Sequence, residues 1–423
     1  MTLVLLAGFL VLLLINVPVS FALAIASFLA VTYGGIPPTL VAQRMTAAID
    51  SFILLAVPFF LLAGHLMARS GIARDIIDFA NAAIGWARGG LAHAGIGAGT
   101  LMGGMTGSAV AEASSAGGIM IPPMKEKGYD GAFCAAVTAA ASTISVVIPP
   151  SIPMIIFCVV TGTSVSKLFI AGLIPGVLIA ILLMVTAWVI SVRRGYPKGP
   201  RGSVRGFLRA TRASVWGLMM PLVIIGSIRY GIATPTEASV VAVLYGLIVG
   251  MFVYRTIRLA DLPRIVLETC VTTGVVMLMI AAASLYGLII TREQIPQGAA
   301  QLILGLTSDP TLVLLLIFCV YLFAGMILDL GASIIILVPV LWPVTQTLGI
   351  DPIQFGVVTV VGLAIGLVTP PVGASLFVTC GIARCNLVQG STAVLPFVVA
   401  LILLVIAIIF FPGIATWLPS RMD

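Results

Sequence analysis

The chain is 423 residues long, 61% hydrophobic and only 8% charged, with a formal net charge of +7 and a mean hydropathy of +1.23. Soluble domains run at about 45–50% apolar and about 25% charged residues, so a soluble fold of this composition has too little polar surface to cover itself. The composition describes an all-α polytopic membrane protein and excludes cytosolic enzymes, disulfide-stapled secreted domains and nucleic-acid binders. The six cysteines form no Cys-x-x-Cys pair and lie in apolar runs, where thiols serve as small buried hydrophobes. His65 and His93 have no metal-ligand spacing, and no P-loop is present.

The N-terminus is apolar, but no charge precedes Arg44, so the basic start of a signal peptide is missing. Runs at 3–16 and 18–33 meet at Asn16-Val17-Pro18 and read as two crossings rather than one bent helix. Further apolar runs fall at 50–68, 131–160, 167–192, 215–233, 236–254, 266–290, 352–382 and 391–418. Two segments read differently. The first, 91–121, holds eight glycines and ends at Pro122-Pro123; the second, 311–345, carries Gly325, Asp329 and Gly331 in mid-run. Both read as re-entrant hairpins, whose irregular backbone at membrane depth requires cover from protein or a water-filled cavity. The tryptophans Trp86, Trp188, Trp216, Trp342 and Trp417 read as an interfacial belt.

A shift of 221 positions aligns the two halves without a gap over roughly a hundred residues. Pro122 meets Pro343, Pro149-Pro150 meets Pro370-Pro371, and Pro175 meets Pro396. Gly128 meets Gly349, Asp130 meets Asp351, and Gly104-Met105 meets Gly325-Met326. The expected organisation is a first repeat over 1–192, a basic linker over 193–213 and a second repeat over 214–423. Each repeat has five crossings, one hairpin and one proline-broken helix (131–160 and 352–382). The linker carries seven Lys/Arg and no acid, which places it in the cytoplasm. Arg69, Arg74, Arg88, Lys125, Lys127, Arg255, Arg258, Arg264 and Arg384 then share its side; Arg44, Lys167, Arg229, Arg292 and Arg421 lie outside. An odd number of crossings per half inverts one repeat against the other.

Inverted repeats with hairpins and broken helices describe a secondary transporter whose site lies near the midplane. Proline lacks an N–H and clashes with the carbonyl four residues back. Pro149-Pro150 therefore frees the carbonyls of Ser145 and Val146, and Pro370-Pro371 those of Gly366 and Leu367. A hard cation such as Na⁺ suits these oxygens, with Ser151, Thr369, Ser375 and Gly373 nearby; a plain proline kink is the competing reading. The hairpin tips, Gly103-Gly104-Met105-Thr106-Gly107-Ser108 and Gly325 to Gly331, align Ser108 with Asp329. A tip facing the break of its own half makes two symmetry-related cation sites, and half-helix N-termini there favour an anionic substrate. Close packing through small residues explains the glycines but not an acid. Glu112, Glu237 and Asp329 lie in apolar surroundings, where a charge costs at least about 2.5–3.5 kcal/mol, so each is a candidate functional residue or half of a structural ion pair. Arg292 stands just outside a membrane end, as a forked donor for a carboxylate or as an interfacial anchor.

Three motifs together carry a resemblance that covers essentially the whole chain: Gly103 to Ser108 with Glu112, Ala233-Thr234-Pro235-Thr236-Glu237-Ala238, and Thr369-Pro370-Pro371. They resemble the large membrane subunit of tripartite ATP-independent periplasmic (TRAP) transporters. The resemblance implies a bacterial inner-membrane importer of organic-acid carboxylates such as C4-dicarboxylates and sialic acids. It implies an elevator mechanism driven by two or more Na⁺ ions per cycle, a separate small four-helix membrane subunit, and a periplasmic substrate-binding protein. Substrate contacts are implied at Ser108, Ser151, Arg292 and Asp329. Ion contacts are expected at Gly103, Gly104, Thr106, Ser108, Ser145, Gly325, Gly366, Thr369 and Gly373. A stand-alone sodium–dicarboxylate symporter of similar architecture is the alternative.

Overall fold

The computed structural model describes residues 1–199 and 203–422; positions 200–202 of the linker and the side chain of Thr106, an expected ion ligand, lie outside the described residues. Twenty α-helices and no sheet occur among them. Seven helical stretches are long and apolar enough to cross a membrane, and eight shorter apolar helices accompany them.

The chain begins with α1 (Thr2–Leu14) and α2 (Val19–Tyr33), which fold back on each other with Gly8 against Ala26. The turn uses Asn16 in the left-handed region and Pro18, which cannot donate to a continuing helix, so 1–33 is two helices. Next come α3 (Thr39–Ile49), α4 (Ala56–Arg69) and α5 (Ile72–Ile84). Helices α3 and α5 were not expected. A search for continuous apolar runs passes over amphipathic segments. The buried stripe Ile72, Ala73, Ile76, Ile77 and Ala80 of α5 repeats with a helical period and carries the signal.

The first hairpin is α6 (Gly90–Thr106) and α7 (Ala109–Glu126), and the first broken helix is α8 (Gly131–Ser142) and α9 (Ile152–Thr161). Helix α10 (Val165–Arg193) follows. Helix α11 (Val204–Arg229) starts inside the expected linker: Ser203 accepts the Gly206 N–H at 3.2 Å and caps it. Arg205, Arg209 and Arg212 therefore line one face of its first turns rather than a loop. Then come α12 (Pro235–Ile248), α13 (Leu262–Arg292) and the amphipathic α14 (Ile295–Leu306), the third unexpected helix. The second hairpin is α15 (Pro310–Gly325) and α16 (Leu330–Thr347), and the second broken helix is α17 (Pro352–Gly366) and α18 (Ala374–Ala383). The chain closes with α19 (Leu387–Phe410) and the single turn α20 (Gly413–Thr416).

Element boundaries recur at the sequence offset. Helices α7 and α16 both span 18 residues and start 221 positions apart; α8 and α17 differ in length, but their starts are also 221 positions apart. The aligned aspartates explain the second pair: Asp130 accepts the Ala132 N–H at 3.4 Å, and Asp351 accepts those of Ile353 and Gln354 at 2.7 and 3.1 Å. Each is an N-cap that satisfies orphan donors at a helix start. Helices α8 and α17 are buried all round, from Ala132 to Ser142 and from Ile353 to Gly366, so they form the centre of the molecule. Around them, polar contacts tie the α4–α5 corner to α13. Arg69 Nη2 donates to both carboxylate oxygens of Glu268 at 2.7 Å, and His65 Nδ1 lies 2.9 Å from Thr269 Oγ1. Cys134, Cys158 and Cys380 are buried as expected, whereas Cys270 and Cys319 are exposed on the apolar exterior.

Candidate functional site

Each hairpin tip sits on the broken helix of its own half. In the first, Gly103 lies so close to the backbone of Ser145 that a Cβ would stand 2.8 Å from Ser145 Cα; Gly104 and Gly107 approach the carbonyls of Pro149 and Pro150 as closely. Gly107 also turns the chain from α6 to α7 at φ 60°, a conformation glycine adopts without penalty. In the second, a Cβ on Gly325 would stand 2.7 Å from Leu363 O, and one on Gly366 would run into the Gly325 backbone. Ser145 and Gly366 occupy the same place in the two halves, and both Pro-Pro bonds are cis.

The carbonyls freed by proline find donors nearby. Val146 O accepts from Ser151 Oγ, Gly366 O from the Thr369 N–H at 3.1 Å, and Leu367 O from the Ser375 N–H at 3.0 Å. A carbonyl has a second lone pair, so each can still face an ion. Ser145 Oγ donates to Ser142 O at 2.7 Å and Thr369 Oγ1 to Ile365 O at 2.6 Å, which leaves their lone pairs outward. Ser375 Oγ is buried with no hydrogen-bond partner among the described residues. No group of three or more His, Cys, Asp and Glu gathers among those residues. The junctions thus offer neutral oxygens, a donor set that fits a weakly held hard cation and not a thiolate- or imidazole-seeking metal.

A cavity of about 150 Å³ lies between the junctions. The first tip contributes Gly107 and Ser108, the second Asp329 and Gly331; Val146 and Leu367 come from the two breaks. Leu61 of α4 and Thr272, Val276 and Met279 of α13 close it from the other side. No local sequence signal marks these last four, since they sit in plain apolar helices and reach the cavity only through packing. Helices α7, α9 and α16 begin at the cavity wall, so three positive helix ends converge there.

The expected site residues divide accordingly. Ser108 and Asp329 line the cavity. Asp329 is exposed to it rather than buried in apolar surroundings, and it caps α16 by accepting the Gly331 N–H at 3.0 Å. Ser151 is buried beside it as the cap of α9, accepting the Met154 N–H at 3.3 Å. Glu112 is buried, at 1% exposure, against Thr138 and Ser142 around a void of about 10 Å³, which suits a single water. Glu237 corrects the expectation of a buried charge. It is exposed and forms a capping box, its carboxylate accepting the Thr234 N–H at 2.7 Å while Thr234 Oγ1 accepts the Glu237 N–H at 3.3 Å. The motif Thr-Pro-Thr-Glu is a helix start, and its acid serves that start. Arg292 is exposed at the end of α13, 13 residues beyond Met279 and so about 20 Å away along the helix. A second chamber of about 420 Å³, lined by Ile156, Ile280, Ser284, Gly287 and Ile335, occupies the interval.

The family model described as "Tripartite ATP-independent periplasmic transporter, DctM component" matches residues 6–414. The C4-dicarboxylate TRAP transporter large permease protein DctM of Pseudomonas aeruginosa is 41% identical over 371 residues, 88% of this chain and 87% of that protein. The sialic acid TRAP transporter large permease protein SiaM of Vibrio cholerae is 40% identical over 416 residues, 98% and 97% of the two chains. Among solved structures, the YdaH transporter of Alcanivorax borkumensis superposes with a TM-score of 0.63 at 15% identity, covering 90% of this chain and 89% of its own, a likeness of fold alone.

Proposed function

The chain belongs to the DctM component family of tripartite ATP-independent periplasmic transporters, permeases and not enzymes, and on that premise we propose a Na⁺-coupled importer of an organic acid. Its substrate is a carboxylate handed over by a periplasmic binding protein, and a small four-helix membrane subunit completes the permease. The observation that carries this reading is the convergence of both hairpin tips and both helix breaks on one cavity. Two or more Na⁺ ions bind at the junctions among neutral oxygens. Their charge, added to three helix N-termini, offsets Asp329 and makes the cavity attractive to an anion. Without the ions, Asp329 repels a carboxylate; that dependence is the coupling.

In this reading the chain sits in the bacterial inner membrane with ten crossings, its 193–213 segment cytoplasmic and its two repeats inverted. The hairpins and broken helices move as one elevator against a frame containing α4 and α13. Arg292 meets the incoming carboxylate at the outer end of α13, and the chamber of about 420 Å³ leads from there to the cavity.

Proteoliposomes holding the chain with its small subunit test the proposal. Uptake is expected only with an inward Na⁺ gradient and the carboxylate-loaded binding protein outside. K⁺ in place of Na⁺ should give none. Full uptake of free substrate without the binding protein would restore the stand-alone symporter.

A further inference from the structure

A pocket of about 250 Å³ opens on the flank of α10 and shares no lining residue with the cavity between the junctions. Its lining is Ile84, Trp86, Ala87 and His93 on one side and Met184, Val185 and Trp188 on the other, and it presents no polar surface. Trp86 and Trp188 are 58% and 51% exposed, as suits tryptophans that meet lipid near the headgroup level. His93 Nε2 lies 3.1 Å from Arg88 O and holds the turn between α5 and α6 beneath the pocket.

Arg88 follows the lining Ala87 in sequence, and a backbone bridge sets it directly opposite Lys198 in antiparallel fashion. The Gly89 N–H donates to Pro197 O at 3.3 Å and fixes this pairing. Residues directly opposite in such a pair project to the same side, about 4.5–5.5 Å apart, and like charges there repel. Among the described residues neither cation has an ion-pair partner. Two cations held together over an apolar, tryptophan-walled slot match an anion with a hydrocarbon tail. Basic pockets of this kind bind anionic lipid headgroups.

We propose that the pocket between Trp86 and Trp188 binds an anionic phospholipid, whose phosphate lies between Arg88 and Lys198 and whose first acyl carbons fill the slot. Lipid chemistry is favoured over a protein helix because the pocket is small, open and apolar, with a pair of cations adjoining its Ala87 side, rather than a long apolar groove. The lipid would clamp the α5–α6 turn to the end of α10.

The test uses the permease with its small subunit in nanodiscs doped with brominated lipid, which quenches neighbouring tryptophan. Brominated phosphatidylglycerol should quench the Trp86 and Trp188 signal, assigned with Trp86→Phe and Trp188→Phe, at a lower mole fraction than brominated phosphatidylcholine does. Arg88→Gln or Lys198→Gln should each reduce that preference about fivefold. The charge-keeping pair Arg88→Lys and Lys198→Arg should retain it, which separates lost charge from lost folding. Equal quenching by both lipids would overturn the proposal by making the pocket ordinary bilayer contact. Absence of quenching by either would overturn it by showing that protein covers the site.

Discussion

The two junctions occupy equivalent places in the chain but are built from different chemistry. At the first, Ser145 faces the tip, Ser151 caps α9, the tip residue is the neutral Ser108, and the acid, Glu112, is buried one turn into α7. At the second, Gly366 faces the tip, Val372 replaces the capping serine, and Gly373 at φ 50° opens α18 without a side-chain cap. There the tip itself carries the acid, Asp329, while Ser333 stands in the place of Glu112 and donates to Asp329 O at 2.9 Å. Both junctions make close backbone contact, and the first adds a serine cap, Ser151, that the second lacks. The chain follows a similar path at both junctions while its acids sit at different places, so among the described residues only one wall of the cavity is anionic.

The sharpest way to break this comparison is to put a methyl group at each contact. Gly366→Ala drives a Cβ into the Gly325 backbone. Overpacking costs about 1–3 kcal/mol where side chains can yield, and here backbone must move, so both uptake and a cooperative melt should be lost. Gly103→Ala meets Ser145 less closely and should lower the melting temperature without abolishing the transition. Equal melts for the two variants would refute the claim that the second contact is the tighter.

Charge at the tips gives the next largest effect. Asp329→Ala should abolish Na⁺-dependent uptake while the protein still inserts, and Ser108→Ala should slow it only several-fold. Asp329→Asn separates the acid from the cap, since Asn caps helices about as well as Asp. It should melt like the wild type yet remain inactive. Normal uptake by the Asn variant would reduce Asp329 to a cap.

Ser151→Ala should destabilise through the lost α9 cap, about 0.5–2 kcal/mol, and through Val146 O losing its donor. Val372→Ala at the equivalent position removes no hydrogen bond and should be milder by thermal melting. Glu237→Ala should lose only its capping box, again about 0.5–2 kcal/mol, with uptake per folded molecule unchanged. Impaired turnover in that variant would return Glu237 to the transport machinery. Arg292→Ala should have the smallest effect, a modest loss of uptake that persists at saturating loaded binding protein.

Much of this was legible in the sequence because it rests on local stereochemistry. Composition requires a bilayer, proline interrupts a helix wherever it falls, and glycine-rich turns mark the hairpins, so both tips and both breaks lie where the residues place them. The aligned Asp130 and Asp351 were visible as a repeat, although their role as caps of α8 and α17 emerged only with the backbone. Helices α3 and α5 escaped because an amphipathic surface helix carries its signal in period and not in mean hydropathy, and α14 because its 12 residues are too few to cross a bilayer.

Tertiary structure decided what each acid and each apolar helix meets. An apolar neighbourhood in sequence made Glu112, Asp329 and Glu237 look alike; packing buries the first, turns the second toward the cavity and leaves the third on the surface. The same packing brings Leu61 and Met279 into the cavity and keeps Arg292 about 20 Å from it along α13. Burial depends on neighbours hundreds of positions away, and hydropathy along the chain has no access to them. The sequence determined the class of molecule, its repeat and the places where its helices break, whereas the fold alone determined that those breaks share one cavity with a single charged wall.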